Sequence, residues 1–198
     1  AQKPPADSDP QSALAIADLA DAEVASSSAE SPTFVVGIGA SAGGLEPLEK
    51  FFDKMPATKD IAFVVVQHLS PSYKSLMDEL LARHTEMPIH RVENGMSMEG
   101  GAIYLIPPKQ NMVVSGGKLL LTEQDSDGGL NLPIDIFFRS LAQNLGSQAI
   151  CVVLSGTGSD GSRGVKAVHE AGGLVMVQTP ESSQFDGMPQ SALATGFA

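Results

Sequence analysis

The sequence has one cysteine, Cys151, few aromatic residues (5%) and only 12 lysines and arginines against 23 aspartates and glutamates. A lone thiol cannot form an internal disulfide, so a reducing compartment fits best. The formal net charge of −11 argues against the basic patch that nucleic acid or an anionic membrane surface requires. No apolar run approaches the ~18 residues that span a bilayer. No basic start followed by an apolar stretch reads as a signal peptide. Nucleic-acid binding and membrane insertion are therefore not expected, and the expected location is the cytoplasm. What is present is an apolar share of 42% and 20 glycines over 198 residues. That suits one domain of ordinary size with closely packed α/β layers.

Residues 1–32 differ from the rest. They are rich in Ala, Ser, Pro and Gln, and set Lys3 against Asp7, Asp9, Asp18, Asp21, Glu23 and Glu30. This is the composition of an acidic linker or tail, with at most a weak helix over Ala13–Val24. From Thr33 onward, apolar runs alternate with helical patterns. Strands are expected at Phe34–Gly39, Ile61–Gln67, Ile89–Glu93, Ala102–Ile106, Met112–Val114, Lys118–Thr122, Ala149–Leu154 and Leu174–Gln178. Helices are expected at Leu45–Met55, Tyr73–His84, Ile134–Leu145, Arg163–Ala171 and Pro189–Ala194. The strands that alternate with helices are uninterrupted apolar runs, which predicts an open, mostly parallel, doubly wound α/β sheet with helices on both faces. Ser115-Gly116-Gly117 between two short strands predicts an inserted antiparallel β-hairpin. The chain stops at Phe197-Ala198, soon after a segment that should pack, which reads as a fragment boundary.

The most informative stretch is Phe34-Val35-Val36-Gly37-Ile38-Gly39-Ala40-Ser41-Ala42-Gly43-Gly44. A buried strand stops at a serine among glycines, and a helix follows. Gly37 to Ala42 matches the dinucleotide pattern G-x-G-x-x-G/A, but the second strand ends at Val66-Gln67-His68 without the carboxylate that would bind a ribose. Gly39 to Gly43 also matches the nucleophile elbow G-x-S-x-G. Sites in open α/β sheets form at the carboxyl ends of strands. Those ends carry Ser41, His68 and, after Ala149–Leu154, the segment Ser155-Gly156-Thr157-Gly158-Ser159-Asp160-Gly161. A serine needs a base to become a nucleophile, and the base needs a carboxylate to hold its tautomer. Ser41, His68 and Asp160 could fill those roles, in a chain order unlike that of the α/β hydrolases.

Each residue also has a plainer reading. Ser41 could cap the following helix, His68 could be a buried structural histidine, and Asp160 could cap the helix Arg163–Ala171. On the residues alone, a triad and a glycine-rich binding site both stay open. His84 reads as a surface residue at a helix end. His90 and His169 share metal spacing with no other His or Cys, so no metal and no cofactor are expected. Asp135 reads as a first-turn helix charge, Asp186 as a turn residue and Cys151 as core.

Gly37-Ile38-Gly39-Ala40-Ser41-Ala42-Gly43-Gly44, Val66-Gln67-His68, Pro133-Ile134-Asp135-Ile136-Phe137-Phe138, Leu154 to Gly161 and Gly187-Met188-Pro189 occur in that order. Together they resemble the catalytic domain of the chemotaxis receptor methylesterase family, CheB, over residues 33–198. The resemblance implies a nucleophile at Ser41, a general base at His68 and an orienting acid at Asp160. It implies hydrolysis of glutamyl methyl esters on the cytoplasmic helices of methylated chemoreceptors, with release of methanol, and also deamidation of receptor glutamines. The backbone N–H groups of Ala42 and Thr157 are the expected oxyanion donors. The family usually has Thr at the place of Ala42, Met at that of Thr157 and Asn at that of Ser159. Its N-terminal receiver domain has no counterpart in 1–32. The wording around Ser41 and Asp135 looks closer to forms fused to a receptor methyltransferase and sensor domains. Against this stand a nucleotide-binding module and a receptor-binding domain without turnover.

Overall fold

In the computed structural model the described residues are 31–68, 76–124 and 131–198. Apart from Ser31 and Pro32, the tail reading over 1–32 and its weak helix lie outside them. Nine strands and five α-helices follow one another among the described residues: β1 (Phe34–Ala40), α1 (Leu45–Lys54), β2 (Ile61–Gln67), α2 (Met77–Leu81), β3 (Ile89–Arg91), β4 (Met96–Ser97), β5 (Ile103–Leu105), β6 (Gln110–Ser115), β7 (Lys118–Glu123), α3 (Pro133–Leu145), β8 (Ala149–Val153), α4 (Ser162–Glu170), β9 (Leu174–Val177) and α5 (Gly187–Leu193).

Six strands form a wholly parallel sheet in the order β3-β5-β2-β1-β8-β9. β1 and β2 are apolar throughout because helices cover both of their faces. Val36, Ile38, Phe63 and Val65 pack with Leu48 and Phe52 of α1 and Met77 and Leu81 of α2. On the other face Val35, Val64, Val66, Cys151 and Val153 pack with Phe137, Phe138 and Leu141 of α3, Val165 and Val168 of α4 and Met188 of α5. The expected hairpin is present, with β6 and β7 antiparallel and Ser115 opposite Lys118. It belongs to a three-stranded sheet, β4-β7-β6, that completes the α3 side of the core.

The differences from the expected elements are local. β4 was not anticipated, since two residues carry no periodicity. α2 is shorter than the helix expected over Tyr73–His84, of which residues 73–75 lie outside the described ones. Beyond Leu81 the chain tightens into turns, with Arg83 and His84 N–H donating to the carbonyls of Leu80 and Leu81. His84 is not simply a surface residue. Its Nδ1 lies 3.0 Å from Asp53 and its Nε2 3.7 Å from Glu49, tying the end of α2 to α1.

Gly37 and Gly39 sit inside β1, not in a turn. A Cβ on Gly39 would lie 2.5 Å from Ile134 Cγ2, and one on Gly37 would lie 2.9 Å from Phe137 Cε1. The missing side chains are the seat of α3, so the G-x-G pattern is a helix-packing device here and the space is filled by protein. Close seating on β1 brings the first turn of α3 to the rim that carries Ser41.

Candidate active site

The chain leaves β1 towards β2 on one side, while β8 and β9 lie on the other. The sheet order therefore reverses between β1 and β8, which is where crevices form in such sheets. Ser41 follows β1, His68 follows β2 and Ser155 to Gly161 follows β8. Backbone pairing continues past the strand ends and fixes the rim. His68 N–H donates to the Ala40 carbonyl at 3.2 Å, and Ser41 N–H to that of Ser155 at 3.0 Å.

Ser41 Oγ lies 3.3 Å from His68 Nδ1, and His68 Nε2 lies 2.8 Å from Asp160 Oδ2. The three residues that the sequence singled out are thus joined in one hydrogen-bonded chain. Ser41 does not cap α1: the N-cap is Gly44, with no side-chain capping bond. The His68 side chain is 33% exposed and Asp160 is 2% exposed, so the chain runs from an open serine to a buried carboxylate. A neutral ring with its proton on Nε2 donates to Asp160 and presents Nδ1 as an acceptor to the Ser41 hydroxyl. The two ring nitrogens are used in the opposite sense to chymotrypsin, where Nε2 faces the serine.

Asp160 does not cap the helix that follows it. The N-cap of α4 is Gly161. Asp160 turns instead to the start of α3, where Oδ2 accepts from Ile134 N–H at 3.0 Å and Oδ1 from Asp135 N–H at 2.8 Å. Those are orphan donors at the positive end of a 13-residue helix. With His68 they give the carboxylate three donors, which is how a buried acid is held in place.

Ser155, quoted in the sequence only as part of a segment, organises the loop that carries Ser41. It is fully buried. Its Oγ donates to the Ala42 carbonyl at 2.9 Å and accepts from Phe185 N–H at 3.0 Å. Its own N–H donates to Gln178 Oε1 at 2.8 Å. Gly43 has φ +69, and a Cβ there would stand 2.9 Å from Ser155 Oγ, so the turn after Ser41 demands glycine on both counts. The signal was its position, two residues beyond the buried strand β8 and level with Ser41.

Of the two expected oxyanion donors, Ala42 and Thr157, one neighbours Ser41 in sequence and the other follows Gly156. Ala42 follows Ser41 directly. A Cβ on Gly156 would lie 2.9 Å from Ser41 Cβ, which places the Gly156 backbone against the serine. Gly156 is held by Phe185 and Met188, its N–H on the Phe185 carbonyl and its carbonyl on Met188 N–H, both at 2.9 Å. Among the described residues neither Ala42 N–H nor Thr157 N–H has a protein acceptor. Beside His68 a cavity of about 260 Å³ opens between Gln67, Pro108, Lys109, Gln110 and Pro133. Asp186 stands at the N-cap of α5 and takes a bond from Gln190 Nε2, as a turn residue would. Cys151 is buried in β8, and burial pushes its thiol up to about 12. No described helix is long and apolar enough to cross a membrane.

The family model for CheB methylesterase matches residues 36–198. The chain belongs to the CheB methylesterase family. The crystal structure of the Thermotoga maritima CheB methylesterase catalytic domain superposes with a TM-score of 0.75 at 28% identity, over 83% of this chain and 89% of that one. A protein-glutamate methylesterase/protein-glutamine glutaminase of Myxococcus xanthus is 35% identical over 169 residues, which is 83% of this chain and 49% of that protein. One from Xanthomonas oryzae is 36% identical over 168 residues, covering 83% and 47%. A 104.1 kDa Rhodobacter capsulatus protein is 54% identical over 121 residues, 61% of this chain and 13% of that protein. The chain spans about half the length of the named CheB-family methylesterases it matches. The open parallel sheet with helices on both faces is the fold of the CheB catalytic domain.

Proposed function

We propose that residues 33–198 form a serine esterase domain that hydrolyses glutamyl methyl esters on the cytoplasmic helices of methylated chemoreceptors. The observation that carries this reading is the unbroken line Ser41 Oγ–His68 Nδ1, His68 Nε2–Asp160 Oδ2 on three neighbouring parallel strands. Ser41 Oγ attacks the ester carbonyl carbon as His68 Nδ1 takes its proton. The oxyanion accepts from the N–H groups of Ala42 and Thr157. Collapse breaks the ester C–O bond, and the departing oxygen takes the proton from His68, leaving as methanol. Water then attacks the acyl-serine with His68 as base, which regenerates Ser41 and releases glutamate. With a glutamine substrate the same steps expel ammonia. Asp160 holds the ring and stabilises the imidazolium without taking the proton. We assign residues 1–32 as an acidic linker, the compartment as the cytoplasm, and a fused methyltransferase or sensor domain as the neighbour in the longer protein.

Methanol release from a methylated chemoreceptor cytoplasmic fragment, compared between this chain and Ser41→Ala, tests the reading. Loss of ~10⁴-fold or more in the variant is expected, because triad members act as a unit. Near-normal release from Ser41→Ala, or none from the folded parent chain, would overturn it.

A further inference from the structure

Asp135 is a buried acid that the triad chemistry does not use. It is 4% exposed, in the first turn of α3. Its Oδ1 accepts from Gly164 N–H of α4 at 2.7 Å, while its own N–H donates to Asp160 Oδ1 at 2.8 Å. Asp160 is the residue just before Gly161, the N-cap of α4. The two helices therefore exchange caps: the acid preceding α4 satisfies the first donors of α3, and the acid in the first turn of α3 satisfies a first-turn donor of α4. The second oxygen of Asp135 is buried without a partner among the described residues.

We propose that Asp135 is a positioning residue for the triad, clamping residues 160–164 against the start of α3 and so fixing the carboxylate that orients the His68 ring. The backbone N–H groups of Gly164 and Arg163 both face this carboxyl, so it ties the turn carrying Asp160 to α3 from the second side. The catalytic consequence rests on the esterase reading, whereas the clamp itself does not. The charged groups facing Asp135 are Asp160 and Arg163, with His68 beyond Asp160. Burial pushes the Asp135 carboxyl up, Asp160 adds to this, and the Gly164 N–H and Arg163 oppose it. The Gly164 bond needs only an acceptor oxygen at that place, and an asparagine oxygen can supply it.

The test compares Asp135→Asn and Asp135→Ala in the full chain, by the pH profile of ester hydrolysis and by ¹⁵N NMR of the His68 ring. Asp135→Asn should keep kcat within about threefold, with an unchanged pH profile and the Nε2-protonated His68 signal intact. Asp135→Ala, shown folded by near-UV circular dichroism, should lose ~10²-fold in kcat with little change in KM, the scale of a small misplacement, and should lose the ordered His68 signal. Wild-type kcat and His68 signal in Asp135→Ala would overturn the proposal. So would an Asp135→Asn variant that fails as alanine does, or one whose pH profile shifts. Should Asp135→Ala unfold while Asp135→Asn stays folded, the need for an acceptor oxygen at this place supports the clamp, and loss of the His68 signal in the folded asparagine variant overturns it. If the parent chain releases no methanol, the esterase reading fails while the ring signal still tests the clamp.

Discussion

Gly156 and Ser41 stand so close that one added carbon on the glycine would lie 2.9 Å from the serine Cβ. The same carbon would meet Met188 Sδ, so the serine is the neighbour with less freedom to yield. Gly156→Ala should cost about 1–3 kcal/mol of stability, the usual range for overpacking. It should cost ~10²-fold in kcat, since a displaced nucleophile loses its alignment. Urea unfolding beside steady-state hydrolysis checks both. A variant with parental kcat would show that Ser41 is not held against this backbone.

Ser155→Ala removes a buried hydroxyl that serves both Ala42 and Phe185. The Ala42 carbonyl and the Phe185 N–H are then left without that partner, at a cost of about 1–3 kcal/mol. If the Ala42 N–H serves the oxyanion as proposed, kcat should also fall, by at least ~10-fold, with KM little changed. Denaturant midpoints and the split between kcat and KM report the two effects separately.

Stability should carry the titration of Asp135. Its folded-state pKa is raised, first by burial. A raised group contributes stability that is fully present below its unfolded pKa and is lost as pH rises through the folded one. Asp135→Asn lacks that titration. Its Tm relative to the parent should therefore climb as pH rises from below the ordinary carboxylate range, and level off above the raised pKa. Thermal melts of both proteins across that range check the sign. A difference that falls with pH would mean that the carboxyl is stabilised in its charged form.

The Cys151 thiol lies in the core of β8 and is pushed up to about 12 by burial, so thiolate is negligible at pH 8. The native chain should react with a thiol reagent only through global opening. Labelling should become fast in guanidinium, and its native rate should rise with destabilising variants such as Gly156→Ala. Prompt labelling of the folded chain would place Cys151 nearer solvent than β8 allows.

The rim residues were legible because a parallel sheet announces its strand ends. Ser41, His68 and the segment holding Asp160 each follow an apolar run, and the fold places such ends together. What stayed hidden depends on contacts between distant elements. Gly37 and Gly39 looked like a phosphate turn, since nothing local reveals that Ile134 and Phe137 fill their missing side chains. The plainer reading of Asp160, as a cap for the next helix, fails because its donors come from α3, 25 and 26 residues earlier. Capping rules are local, and an exchange of caps between two helices leaves no local trace. Ser155 was passed over because a buried serine at a strand end has no chemistry of its own.

The central place of β1 sets the order in which activity can appear during folding. Its first neighbour, β2, lies close in sequence, whereas its second, β8, begins at Ala149, more than a hundred residues from Phe34. Pairing across such a separation carries a high loop-closure cost and tends to be slow. Ser41 and His68 can meet once β1 and β2 have paired, yet the ring has no acid to lean on until β8 brings Asp160 to the rim. In a refolding experiment turnover should therefore trail the return of helical signal.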